Sequence, residues 1–172
     1  KYTNVEFQAE RCIEENLIAF LNILAVIGND IKLLNMTSVT IKSSTLKLVL
    51  SMCKNLKILD LPELEEEATD EGFLKNLPSL DLDELNCFND SGRFSQLLSA
   101  SSTKSCLISG VKESEVVFIQ DFLKTQKKLE SLDMTVIGDD EEVDVDFFET
   151  NALNKVDFRL KSLNMCAFRM DN

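Results

Sequence analysis

The sequence predicts an α/β arc built by repetition, with parallel strands lining a concave face and helices on the convex face. Three observations point there. One short apolar spacing recurs along the whole chain, amphipathic stretches of helical period precede several of its copies, and breakers are scarce, with five glycines and two prolines in 172 residues. A chain of that length can form one domain burying about 70% of its unfolded surface.

The strands come first. In MCKNLKILDLPELEEEATDEGFL, residues 52–74, Leu56, Leu59 and Leu61 stand as apolar, two others, apolar, one other, apolar. The same spacing fits Tyr2, Val5 and Phe7, then Ile31, Leu34 and Met36, then Leu129, Leu132 and Met134, then Leu160, Leu163 and Met165. Thr103, Cys106 and Ile108 form a weaker copy. One more copy lies in LPSLDLDELNC, where Leu77, Leu80 and Leu82 or Leu82, Leu85 and Cys87 could serve. With either choice, the middle residues of successive copies stand 21 to 31 apart. In a strand, alternate residues such as Leu59 and Leu61 point to one side, and the residue between them points to the other.

The helices follow. A large apolar residue stands seven positions before several copies, at Leu24, Val49, Phe122 and Leu153. The stretches NLIAFLNILAV, TLKLVLSMC and EVVFIQDFLKTQ repeat apolar residues at i, i+3 and i+4. Val116, Ile119, Phe122 and Leu123 share one helical face. One strand–loop–helix unit cannot bury its apolar face alone, so units stack and share a core. Residues 1–172 are therefore expected to form one domain of about seven repeats.

Cys53, the leucines at 56, 59 and 61, and Thr69-Asp70-Glu71-Gly72-Phe73 together resemble the cysteine-containing type of leucine-rich repeat. In that family the strand leucines are followed by an Ile-Thr-Asp-x-x-Leu turn; here Ala68 and Phe73 replace the Ile and Leu, and Leu64 stands where a second cysteine is common. Such repeats occur in the target-recognition halves of F-box proteins. The resemblance implies a horseshoe scaffold that holds a ubiquitylation target, with Skp1 and a cullin as partners only if an F-box lies outside this chain. The chain starts at Lys1 with a strand pattern and ends soon after another, so it is expected to be a fragment lacking flanking repeats, or else to associate through its uncapped edges.

Composition narrows function. There are 18 basic and 30 acidic residues and no histidine, a formal net charge of −12. Nucleic-acid and anionic-membrane surfaces need clustered Lys and Arg, so neither partner is expected. The absence of histidine removes the commonest general base, no glycine-rich phosphate loop occurs, and nothing pairs two carboxylates for catalysis. No enzyme activity, cofactor or metal site is expected. The five cysteines, Cys12, Cys53, Cys87, Cys106 and Cys166, contain no C-x-x-C and read as reduced thiols of a cytoplasmic or nuclear protein.

Binding is the expected role. The outward residues at the strand centres form a row of Asn35, Asp60, Asp81 (or Asn86 in the other frame), Leu107, Asp133 and Asn164. A polar, partly acidic row suits a partner bearing Lys or Arg, although Asp and Asn also serve simple solubility there. Two acidic runs share one phase of the repeat: Glu65, Glu66 and Glu67 in one, Asp139, Asp140, Glu141 and Glu142 in the other. They are expected on one rim about 15 Å apart, three strand spacings. A second reading is an acidic module for histones or other basic proteins, similar to the acidic nuclear leucine-rich-repeat proteins.

Overall fold

The computed structural model describes residues 4–7, 14–65, 78–88, 101–112, 116–138 and 160–169. Elements run in the order β1 (Asn4–Glu6), α1 (Glu14–Ile27), a 3-10 turn (Gly28–Asp30), β2 (Leu33–Asn35), β3 (Thr40–Ile41), α2 (Ser43–Met52), β4 (Ile58–Asp60), β5 (Glu63–Leu64), β6 (Asp81–Cys87), β7 (Ser102–Lys112), α3 (Val116–Thr125), β8 (Ser131–Gly138) and β9 (Ser162–Arg169). The three described helices coincide with the three stretches of helical period; Leu153 lies outside the described residues.

Seven strands make one parallel sheet in the order β1-β2-β4-β6-β7-β8-β9, so each new strand is laid beside the one before it. Parallel neighbours cannot be joined by a tight turn and need a crossover. Here α1, α2 and α3 lie in three of those connections. The α/β class and the parallel sheet are as expected. A second, two-stranded parallel ladder, β3 with β5, lies beyond the C-terminal ends of β2 and β4. Thr40 Oγ1 donates to Glu63 Oε2 across it at 3.1 Å. The recurring apolar spacing does not mark this ladder.

Register is the main result. The middle residues of the recurring spacing pair Cα to Cα across the whole sheet: Val5 with Leu34, then Leu59, Leu85, Cys106, Leu132 and Leu163. The frame left open in LPSLDLDELNC is thus Leu82, Leu85 and Cys87. Leu34, Leu59, Leu85, Cys106 and Leu132 are all buried. Beside them run two further buried rows: Ile31, Leu56, Leu82, Thr103 and Leu129 on one side, and Met36, Leu61, Cys87, Ile108 and Met134 on the other. Leu24, Val49, Ile119, Phe122 and Leu123 close the same core from the helices. At one end the rings of Phe7 and Phe20 stack with centroids 4.0 Å apart. α1 is apolar nearly all round, so burying one side leaves Ile18, Ile23 and Val26 exposed on the other.

The position six residues before each middle residue makes the return from helix to strand. Gly28, Cys53 and Gln126 occupy it; each carbonyl accepts the N–H of the residue three further on, at Ile31, Leu56 and Leu129. All three are buried. Gln126 supplies bonds that a leucine would not: its Oε1 accepts the Thr103 N–H at 3.1 Å and its Nε2 donates to the Ser101 carbonyl at 2.9 Å. Ser101 Oγ in turn accepts the Leu80 N–H at 3.1 Å. Thr103, the polar member of a leucine row, donates its hydroxyl to the Ser105 carbonyl at 2.7 Å. Among the described residues no buried side-chain polar atom lacks a partner, as a low-dielectric interior requires.

Two measurements test this packing. Leu132 is 1% exposed and Leu163, its equivalent on the edge strand β9, is 46% exposed. Leu132→Ala is expected to cost about 3 kcal/mol in urea unfolding and Leu163→Ala less than half as much, because a half-exposed site forfeits less burial and leaves no closed cavity. Equal losses would contradict the arrangement. A Cβ on Gly28 would stand 2.5 Å from the backbone oxygen of Met52. Gly28→Ala is accordingly expected to lower stability by about 1–3 kcal/mol, as overpacking does; a neutral result would show that α2 can retreat.

Candidate functional site

On the side of the sheet opposite the described helices, the zero-offset register sets the outward residues in straight rows. One row reads Glu6, Asn35, Asp60, Asn86, Leu107, Asp133 and Asn164. Its expected members Asn35, Asp60, Leu107, Asp133 and Asn164 are therefore brought together. Asp81 is not among them. It pairs with Ser102 at the start of β6, and Asn86 holds the place, because Leu85 rather than Leu80 aligns with Leu59. Glu6 was missed at the other end; it follows Val5 as Asn35 follows Leu34, and that offset alone would have found it.

A second row, two residues earlier on each strand, reads Asn4, Leu33, Ile58, Glu84, Ser105, Ser131 and Ser162. The two rows together divide the face. Over β2, β4 and β6 they present Leu33 and Ile58 beside Asp60 and Glu84. Over β7, β8 and β9 they present three serines in register with Leu107, Asp133 and Asn164.

Asparagines organise the carboxylates. Asn86 Nδ2 donates to Asp60 Oδ1 at 2.7 Å on the neighbouring strand and to Glu84 Oε1 at 2.9 Å on its own. Asn164 Nδ2 donates to both oxygens of Asp133 at 3.3 Å. Asn35 instead caps its own turn, accepting the Thr37 N–H at 3.1 Å and the Thr37 hydroxyl at 3.0 Å. An amide donor orients a carboxylate without neutralising it. Among the described residues no ion pair engages Asp60, Glu84 or Asp133.

The carboxylates at the strand starts are neutralised. Asp81 faces Lys57 Nζ at 3.4 Å and Lys128 Nζ at 2.7 Å, Asp83 faces Lys104, and Glu130 faces Lys161 Nζ at 2.9 Å. Hydrogen bonds from Lys128 and then Ser102 hold the Asp81 carboxyl down to about 2, from an ordinary 3.8. Lys104 lowers the Asp83 carboxyl in the same way.

Of the expected acidic rim, Glu65 lies exposed directly after β5, its N–H bonded to the Ile41 carbonyl at 3.0 Å. Glu66, Glu67, Asp139, Asp140, Glu141 and Glu142 lie outside the described residues. Cys53 and Cys106 are core residues whose thiols burial pushes up to about 11 and about 12; such thiols are poor nucleophiles at neutral pH. Among the described residues no three His, Cys, Asp or Glu side chains converge on a point that could hold a metal ion. No described helix is long and apolar enough to cross a membrane.

No family model, no curated protein and no solved structure matches the chain.

The Asp81 cluster can be tested directly. Its folded pKa lies below its unfolded one, so its contribution to stability is complete above about pH 4 and is lost as pH falls towards 2. Carboxyl-carbon NMR titration is expected to put the Asp81 midpoint near 2 and to move it up in Lys128→Met. An unmoved midpoint would remove Lys128 as the principal cause.

Proposed function

We propose that the chain is a leucine-rich-repeat scaffold without catalytic activity, and that it binds a protein on the strand face, the concave side of the arc. The observation that carries this reading is the register. Seven strands laid down in chain order align one residue from each repeat into rows, and rows of outward side chains are what a repeat protein offers a partner. The cysteine-type repeat at residues 52–74 supports a place in the target-recognition half of an F-box ubiquitin ligase. In that reading Skp1 and a cullin would be reached through an F-box outside this chain.

A second reading, an acidic module for histones or other basic proteins, draws support from a specific feature. The face carboxylates Asp60, Glu84 and Asp133 are held by amides and are not neutralised by lysines. Charge of that kind attracts basic partners over about 8 Å at physiological ionic strength.

Affinity purification of the full-length native parent, followed by mass spectrometry, separates the two. Recovery of Skp1 and a cullin, with bait sequence before Lys1, is the outcome expected of a ligase arm. Enrichment of histones or other basic proteins without Skp1 would sink the ligase reading in favour of the second.

A further inference from the structure

The two halves of the open face differ in what they leave unfinished. On β7, β8 and β9 the row of Ser105, Ser131 and Ser162 is uncharged, and Asp133 has both oxygens engaged by Asn164. On β4 and β6, Asp60 and Glu84 each give one oxygen to the Asn86 amide. The second oxygen of each has no hydrogen bond among the described residues, and no cation stands within ion-pair distance. The nearby lysines are turned elsewhere: Lys57 Nζ to Asp81 and Lys32 Nζ to the Asn55 carbonyl at 3.2 Å.

Asn86 fixes two negative charges close together on adjacent strands with a single neutral group. Holding like charges side by side costs energy unless a cation joins them. Beside them the face is apolar. Ile58 pairs with Glu84 across β4 and β6, and Leu33 pairs with Ile58 across β2 and β4. Both are half-buried, whereas the equivalent positions on β7 and β8 are serine. Charged and aliphatic surface therefore lie about 5–7 Å apart, one strand spacing or two residues along a strand.

We infer that this patch, Asp60 and Glu84 with Ile58 and Leu33, is the docking site for a basic peptide segment that presents one Arg or Lys beside one aliphatic side chain. The inference rests on the scaffold reading above and narrows its partner. The cation enters between the free oxygens of Asp60 and Glu84, where a guanidinium can donate to both. The aliphatic side chain covers Ile58 and Leu33. Two residues apart in an extended segment, or three or four apart on a helix, the ligand's side chains span the required distance. Charge complementarity selects this occupant over an acidic or purely apolar one.

The test uses the full 172-residue chain and a capped glycine-rich peptide carrying leucine and arginine two residues apart, titrated by amide NMR up to millimolar peptide. A second peptide has citrulline for arginine, the same shape without the charge. Shifts are expected at Leu33, Ile58, Asp60 and Glu84, with the citrulline peptide at least tenfold weaker. Asp60→Asn with Glu84→Gln is expected to weaken the arginine peptide tenfold or more, and Asp133→Asn to change it less than twofold. Binding that maps to Ser105 and Ser131, or that survives the Asp60 and Glu84 changes, would overturn the site while leaving the scaffold reading intact. Absence of any shift at millimolar peptide would also overturn it. The purification of the parent, which separates the ligase reading from the basic-partner one, is read independently of this titration.

Discussion

Zero-offset parallel pairing is the constraint on which the rest depends. Because Val5, Leu34, Leu59, Leu85, Cys106, Leu132 and Leu163 align Cα to Cα, the residues on either side of them are aligned as well. Slipping one strand by one residue would send its leucines to water and its Asp or Asn into the core. A buried aspartate without a partner costs far more than one misplaced hydrogen bond. Register is thus enforced from both sides of the sheet, by apolar burial behind it and by charge in front.

Where the pattern departs from leucine, neighbours supply the missing chemistry. Thr103 is tolerated in a buried row because its hydroxyl and N–H both find partners, the latter on Gln126. Gln126 in turn joins the chain before β7 to the return from α3, and Ser101 extends the connection to Leu80. The same return position can be Gly28, where the Met52 carbonyl leaves no room for a Cβ, or Cys53, which simply fills space. Backbone geometry is shared by the three; the side chain is set by how closely the next element approaches.

Charge is distributed by position along the strand. At and just before the strand starts, Lys57 and Lys128 neutralise Asp81, Lys104 on β7 neutralises Asp83, and Lys161 neutralises Glu130. At the strand centres the carboxylates meet asparagine amides, which orient them and leave their charge intact. A strongly acidic composition therefore does not make a uniformly acidic surface. Among the described residues, the strand face carries a few oriented carboxylates without ion-pair partners, beside aliphatic residues over β2, β4 and β6 and beside hydroxyls over β7, β8 and β9.

The spacing of large apolar residues determined, by itself, the α/β class, the parallel strands, the three helices and most of the buried rows, because periodic burial is a local property that each segment writes for itself. It also placed Asn35, Asp60, Leu107, Asp133 and Asn164 on the open face. It could not choose between Asp81 and Asn86, since LPSLDLDELNC satisfies the spacing twice and only pairing with β4 and β7 picks Leu85. Nor could it tell a neutralised aspartate from a free one. Lys128, which holds Asp81, lies 47 residues along the chain, and Asn86, which joins Asp60 to Glu84, lies 26 residues from Asp60. Those partners are fixed by which strands become neighbours, and that is decided only when the sheet closes over its common core.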